Sequence, residues 1–224
     1  MDDLHLTKTG ESLGISIALR RSMLVVSQRL LAVMGMCFLF LSSALAAPIH
    51  DAARKGDVDG VKQLLDGGGG GLEERDATGE TPLISASLAG QTRIVELLLA
   101  RGAMIEARNN RGLTPLHAAA YSGHLGVAIA LIDHGAKVDD AENRYKTTAL
   151  IIAAEEGHAD IVKLLIDKGA KLEMTEVNGF TALTQAGGFW HWEAVTVLIQ
   201  AGAACQRKEI VGDWWWAECN RRRK

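Results

Sequence analysis

Cysteine and proline are scarce in this chain of 224 residues, which contains three of each. Three cysteines are too few for a fold built on disulfides, and three prolines are too few for a proline-rich linker protein. Neither sign of charge dominates, because 24 Lys and Arg stand against 27 Asp and Glu, a formal net charge of -3. Without an excess of cations to neutralise phosphates, nucleic acid is not an expected partner.

Aromatic residues are also few, at 5% of the chain, although five of them are Trp. Hydrophobic residues make up 48% of the sequence and the mean hydropathy is +0.08, values typical of a globular protein. The composition therefore excludes collagen-like, disordered and many-span membrane proteins.

The amino-terminal part of the chain contains one long uncharged apolar run, residues 30–47. Arg20, Arg21 and Arg29 precede it, and it closes on the small residues of Ala44-Leu45-Ala46. This order is typical of a secretory signal peptide, so we expect residues 1–46 to be removed and the mature chain to be exported, to the periplasm of a Gram-negative bacterium, with no membrane contact afterwards. An uncleaved signal anchor is the alternative, because the run is just long enough to span a bilayer.

A repeat of about 33 residues organises the rest of the sequence. Four threonines mark it at nearly constant intervals, Thr81, Thr114, Thr148 and Thr181, with the middle interval one position longer than the other two. Each is followed by a stretch of small residues, a turn, and an apolar run that ends in Gly-Ala. A fixed period of this length predicts a solenoid of stacked units, none of which can bury its apolar faces alone.

The segment TPLHAAAYSGH from Thr114 resembles the ankyrin-repeat signature, and the other copies keep its landmarks at the same spacing. The resemblance implies an all-α ankyrin-repeat solenoid of helix-turn-helix units with short hairpin loops, about five units plus a partial C-terminal cap. The expected divisions are a signal peptide over 1–46, an array over 47–212 with units at about 47–78, 79–111, 112–145, 146–178 and 179–212, and a capping helix with a basic tail over 213–224.

Two departures from the repeat pattern stand out. Trp190 occupies the turn position held by Gly90, Gly123 and Gly157 in the other copies. A Trp would be strained in a left-handed conformation, so we expect that turn to be built differently. The third complete copy also carries one extra residue, which the pattern assigns to the surroundings of Tyr145 and Lys146.

No motif for catalysis or for metal binding is present in the sequence. The histidines His117, His124, His158 and His191 recur at repeat landmarks, where we expect them to bond to backbone groups. No nucleophile elbow, phosphate-binding loop or zinc-protease motif occurs. We therefore predict a protein that is not an enzyme and that uses no cofactor and no metal.

A recognition surface is the function that the resemblance implies. In ankyrin-type arrays the concave face consists of hairpin tips and the solvent side of the first helices, and it binds protein partners. Carried onto this chain, the expected partner-binding residues are Arg108, Arg111, Leu113, Tyr121, Arg144, Tyr145, Phe180 and Phe189. Arg and aromatic residues are enriched in binding hot spots. Two alternatives stay open: a secreted effector or toxin-neutralising protein, and hairpin tips that are merely solvated. The partner and the oligomeric state stay undetermined.

The carboxyl end shows a last, incomplete copy of the repeat. Residues 212–219 fall in the register of residues 179–186, and three consecutive tryptophans within them offer a cover for the open end of the solenoid. In this register Cys205 and Cys219 belong to one repeat junction. A disulfide between them is possible in an oxidising compartment, and two unlinked core thiols are the alternative.

Overall fold

The computed structural model describes residues 48–224, so the expected signal peptide lies outside the described residues. These residues form eleven helices and no named strand. Their bounds are α1 Pro48–Lys55, α2 Val58–Asp66, α3 Pro82–Leu88, α4 Thr92–Ala100, α5 Pro115–Ser122, α6 Leu125–Asp133, α7 Ala149–Glu155, α8 Ala159–Asp167, α9 Ala182–Gly188, α10 Trp192–Gln200 and α11 Lys208–Arg222.

The first ten helices form five antiparallel pairs that stack side by side. The first helices of the pairs contact one another in the order α1, α3, α5, α7 and α9, and the second helices do so in the order α2, α4, α6, α8 and α10. No described helix is both long and apolar enough to span a bilayer. The predicted all-α solenoid of helix-turn-helix units is confirmed.

The repeated threonines begin the first helices. The hydroxyl oxygens of Thr81, Thr148 and Thr181 each accept the backbone N–H three residues later, which satisfies one of the donors left free at a helix start. At Thr114 the backbone N–H instead donates to Nδ1 of His117, over 3.3 Å. The threonine spacing therefore fixes where each unit begins its helical part.

The two helices of a pair are buried to different extents because their sequences differ. The first helices are rich in small residues and are buried almost throughout, as in α7, where residues 149–154 are all buried. The second helices bury one stripe, such as Ile94, Val95 and Leu98 of α4. A large core residue recurs once per unit, in the set Leu83, Leu116, Leu150 and Leu183.

The turn within each pair explains why glycine and histidine recur together. At Gly90, Gly123 and Gly157 the backbone is left-handed, with φ between 73° and 79°. An added Cβ there would come within 2.5–2.6 Å of the imidazole of the next unit, on His124, His158 and His191 respectively. Nε2 of His124 in turn bonds the carbonyl of Leu88 over 3.1 Å, and His158 bonds Tyr121 in the same way.

The expectation that Trp190 forces a different turn is wrong. Trp190 has φ 66°, in the same left-handed region as the glycines, and the following residue makes the same bond, from His191 N to Ala186 O. No histidine follows His191 in the sequence, so no imidazole of a further unit restricts this position. The ring centroid of Trp190 lies 4.9 Å from that of Trp214.

A set of carboxylates links each unit to the next, on the side where the second helices end. Oε1 of Glu73 accepts the N–H of Met104 over 2.7 Å. The same bond recurs from Lys137 to Glu106, from Lys171 to Asp139 and from Ala204 to Glu173, over 2.8–2.9 Å. These contacts were not predicted from the sequence, although the four acceptors recur with the period of the repeat.

The last helix, α11, closes the carboxyl end of the array. Its regular geometry is interrupted at Gly212, where φ is 80°. Trp215 and Cys219 are buried, and a disulfide joins Cys219 to Cys205, with Cα atoms 5.9 Å apart. Trp215 lies over Gly187 of α9, so closely that a Cβ at Gly187 would overlap its six-membered ring.

We predict that Gly187→Ala destabilises the array, by about 1–3 kcal/mol, because the buried Trp215 ring has no room for the added methyl group. Gly188→Ala is the matched control: a Cβ there meets no atom within 4 Å, so the change should be neutral or stabilise the helix by up to about 1 kcal/mol. Urea unfolding of both variants measures the difference. Equal free energies of unfolding would contradict the packing of Trp215 on Gly187.

Candidate protein-binding face

Four short hairpins connect the units, and each is organised by one polar side chain. Asn109 shows the pattern, since its Oδ1 accepts the N–H groups of Arg111 and Leu113, over 2.9 and 3.0 Å. The equivalent acceptors in the other hairpins are Asp76, Asn143 and Glu176. These bonds hold the hairpin tips in one repeated conformation.

Neighbouring hairpin tips are joined directly through the backbone. Asn110 N donates to Thr78 O and Arg144 N donates to Arg111 O, both over 3.1 Å, and Val177 N donates to Tyr145 O over 2.9 Å. The tips therefore form one continuous row along the array, which we call the hairpin row. Side chains at the tips, Arg111, Arg144 and Tyr145 among them, share one edge of the molecule.

Asp76, the acceptor of the first hairpin, is an unusually strong acid. Burial alone would raise its pKa, but bonds from Thr78, from the Glu80 N–H and from Arg54 outweigh burial and lower the pKa to about 2. The guanidinium of Arg54 reaches the carboxylate over 2.6 Å. The first hairpin thus keeps a charged acceptor across the ordinary pH range.

Arg108 is placed differently from the other predicted partner-binding residues. Its guanidinium makes a bidentate pair with the Asp140 carboxylate, over 2.7 and 2.9 Å, and also reaches Glu142. The pairing with Arg108 is the largest influence on the Asp140 carboxyl and lowers its pKa, against the opposing effect of burial. Arg108 therefore ties two hairpins together rather than presenting a free cation.

The extra residue of the third copy does not lie around Tyr145 and Lys146, as the sequence pattern had assigned it. Asn143 organises its hairpin as Asn109 does, and Asp139 accepts a backbone N–H as its counterpart Glu106 does. The step from Asn109 to Asn143 is one position longer than the step from Glu106 to Asp139. The insertion is therefore between Asp139 and Asn143. It lengthens the chain before the tip, in the stretch that contains Asp140, the partner of Arg108.

Lys146 is a functional candidate that the sequence analysis did not single out. The equivalent tip residues Gly79, Gly112 and Gly179 all have positive φ, and Lys146 keeps that conformation with φ 53°. A side chain in this region costs free energy that glycine avoids. The sequence itself indicates this conformation, since this hairpin alone of the four lacks a glycine two residues before the threonine that begins the next helix.

The remaining predicted partner-binding residues differ in exposure. Tyr121 and Tyr145 are 56% and 44% exposed, which leaves most of the ring edge available to a partner. Arg111 and Arg144 are exposed and have no carboxylate within 4.0 Å among residues 48–224. Leu113 and Phe180 are half-buried between the hairpins.

Phe189 is not part of the hairpin row. It follows α9 in the turn that leads to Trp190, where its ring lies 6.5 Å from that of His191. Phe189 is 53% exposed, and its aromatic contact is with His191 of the last unit. The structure brings together Arg111, Arg144 and Tyr145, and it separates Phe189 from them.

No cluster of three His, Cys, Asp or Glu side chains suited to a metal ion occurs in residues 48–224. Burial, together with Glu156 and Glu176, raises the pKa of Glu155, but a raised pKa alone defines no reaction. A shallow hollow lined by Lys171, Glu173 and Gly202 holds a carboxylate that already accepts the Ala204 N–H.

Comparison with known families identifies the repeat. A family model described as ankyrin repeats (3 copies) matches residues 49–142 and, in a second match, residues 138–209. This chain therefore belongs to the ankyrin-repeat family. Ankyrin repeats generally mediate protein–protein interaction, and the family is typically non-catalytic. A search of curated proteins found no significant match.

His117 connects this face to the core, and its imidazole has a lowered pKa. Its Nε2 bonds the carbonyls of Thr147 and Asp140, over 3.1 and 3.2 Å, so Nε2 carries the proton and Nδ1 accepts from Thr114. Burial is the largest influence on the imidazole and lowers its pKa below 6.5, although the Asp140 carboxylate and the two carbonyls act in the opposite direction. The native ring is therefore neutral at pH values where an unfolded chain would protonate it.

We predict that the free energy of unfolding falls as the pH is lowered from 6.5 towards 5, because the unfolded state then binds a proton that native His117 does not. One such group contributes at most about 1.4 kcal/mol per pH unit. His117→Asn should lower stability at pH 8 but give a smaller pH dependence in this window. Urea titrations of both proteins between pH 8 and pH 5 test this, and equal slopes would contradict the role of His117.

Proposed function

We propose that this protein is a non-catalytic binding module that holds a protein partner on its hairpin row and the adjoining ends of the first helices. The observation that carries the proposal is the row of backbone-paired tips, which presents Arg111, Arg144 and Tyr145 on one rigid edge. A rigid edge loses little conformational entropy on binding. The partner-binding residues we propose are Arg111, Leu113, Tyr121, Arg144, Tyr145 and Phe180, with Arg108 as a positioning residue.

The chemistry of these side chains supports recognition of a protein. Tyr121 and Tyr145 offer amphipathic rings, and Arg111 and Arg144 offer guanidinium groups that no carboxylate of the described chain satisfies. Tyr and Arg are enriched at interfaces because they combine large contact area with directed hydrogen bonds. Half-buried Leu113 and Phe180 add apolar surface between the tips. We further propose that nucleic acid is not a partner.

We expect the triple variant Arg111→Ala, Tyr121→Ala, Tyr145→Ala to weaken capture of the partner at least tenfold, since hot-spot side chains each contribute about 1–2 kcal/mol or more. Its melting temperature should barely change, because each substitution at an exposed position costs under about 0.5 kcal/mol. The measurement is quantitative mass spectrometry of proteins retained from an envelope extract of the native host.

A matched control removes one arginine and two exposed apolar side chains outside the hairpin row, through Arg93→Ala, Met104→Ala and Ile129→Ala. This control should retain the partner as the unmodified protein does. If the unmodified protein, the control and the triple variant captured the partner equally, the binding site would not lie on the hairpin row.

We also propose that the protein acts after export to the periplasm and that the Cys205–Cys219 disulfide forms there. The apolar run followed by small residues supports the proposal, and an oxidising compartment favours the disulfide. Amino-terminal sequencing of the protein from its host should give a start close to Pro48. A product that keeps Met1 would show that the apolar run is not removed, and two free thiols in that protein would show that the disulfide does not form.

A further inference from the structure

All five tryptophans of the chain lie at the carboxyl end of the array, and three of them are exposed. Trp215 is buried and Trp192 is partly covered, whereas Trp190 is 60%, Trp214 is 55% and Trp216 is 43% exposed. The rings of Trp190 and Trp214 contact each other, and exposed Phe189 precedes them in the turn. We call Phe189, Trp190 and Trp214 the terminal aromatic patch.

Stability does not explain this patch. Trp190 has φ 66°, a conformation that glycine adopts freely and that strains a side chain. Its indole remains mostly exposed, so little burial compensates for the strain. Residues held in strained conformations cluster at functional sites, and contiguous exposed aromatic surface marks sites of interaction.

Cationic side chains lie on the same helix as part of the patch. Trp214 and Arg221 are seven residues apart and therefore share a face of α11, about 10 Å apart along its axis. The guanidinium of Arg222 lies 4.0 Å from the centre of the Trp192 ring. Glu218 is paired with Arg221 and Arg222, while Arg223 and Lys224 have no carboxylate within 4.0 Å among the described residues.

The charge of the described chain is divided along its length. Residues 207–224 contain six basic and three acidic side chains, whereas residues 48–206 contain 14 basic and 21 acidic ones. The aromatic end is therefore basic and the rest of the array is acidic. An anionic surface would attract the basic aromatic end and repel the acidic remainder of the array. The array would therefore be oriented with its carboxyl end towards that surface.

We propose that the terminal aromatic patch and the cations of α11 bind the surface of a lipid bilayer with anionic headgroups. Indole rings favour the boundary between headgroups and acyl chains, and Arg and Lys side chains add attraction to anionic lipids. The contact is peripheral and leaves the hairpin row free. It differs from the sequence-based expectation of no membrane contact after cleavage, because the pairing of Trp190 with Trp214 exists only in the folded array.

Tryptophan fluorescence of the full-length chain tests the proposal, because every indole lies at this end. The probes are vesicles of phosphatidylcholine alone and of phosphatidylcholine mixed with phosphatidylglycerol, with acyl chains brominated to quench nearby indoles. We expect a blue shift and quenching with the anionic vesicles, reversal by high salt, and little effect of neutral vesicles. Equal quenching by both vesicles, as insertion of residues 30–47 alone could produce, would overturn the proposal, and so would the absence of quenching.

Variants separate the patch from the rest of the chain. The double variant Trp190→Gly, Trp214→Ala should abolish quenching of the remaining indoles. Because Trp190→Gly relieves backbone strain, the lost quenching would not be caused by loss of the fold. Trp216→Ala is the matched control, since Trp216 is exposed on the opposite flank of α11 and should be dispensable. Arg223→Gln with Lys224→Gln should weaken vesicle binding about 25-fold, about fivefold per cation.

Unchanged binding by the patch variant, or loss of binding by Trp216→Ala alone, would contradict the assignment of the lipid contact to this patch. Absence of vesicle binding combined with capture of an acidic protein through Trp190 and Trp214 would assign the patch to a protein partner instead, and would also overturn the proposal.

Discussion

Each unit of this array depends on hydrogen bonds and packing supplied by its neighbour. The Met104 N–H at the end of one unit is satisfied by Glu73 of the unit before, and the carbonyl of Leu88 is satisfied by His124 of the unit after. The Leu88 carbonyl is partly buried, and such a group without a partner would cost about 1–3 kcal/mol, whereas the Met104 N–H is exposed and the loss of its bond would cost less. Since these bonds recur along the array, its stability is the sum of intrinsic terms for the units and coupling terms between neighbours.

The same dependence makes the hairpin row suitable for recognition. The tips are connected to one another through backbone bonds such as Arg144 N to Arg111 O, and the Arg108–Asp140 pair braces the second hairpin against the third. A partner that contacts several tips therefore meets a surface whose parts are already fixed relative to one another. The positions of Tyr145 and Arg111 follow from the backbone, while the identity of each side chain decides what the surface can bind.

The sequence predicted the fold because the period is encoded in residues with direct local roles. A threonine such as Thr81 caps the start of a helix, and a glycine such as Gly90 allows a left-handed turn. Both roles are local, so both residues can be recognised in the sequence without knowledge of the surrounding structure. The site was harder to predict, because the availability of a side chain depends on its neighbours. Arg108 and Arg111 look alike in the sequence, but only Arg108 faces Asp140, which lies in the stretch that carries the inserted residue.

The carboxyl end shows what happens when a unit is followed by the single helix α11 rather than by a complete pair of helices. In the other units glycine is required in the turn because the next histidine leaves no room for a Cβ, but after His191 no such histidine follows, and Trp190 is sterically tolerated. The end is then closed by other means: Trp215 packs on Gly187, and Cys219 is bonded to Cys205. Closing the end requires Trp215 but not Trp190, whose ring stays exposed beside Trp214. The absence of a following histidine permits a side chain at position 190 but does not require a tryptophan there. Folding therefore does not explain Trp190, and this is why we assign the carboxyl end a contact with a lipid surface.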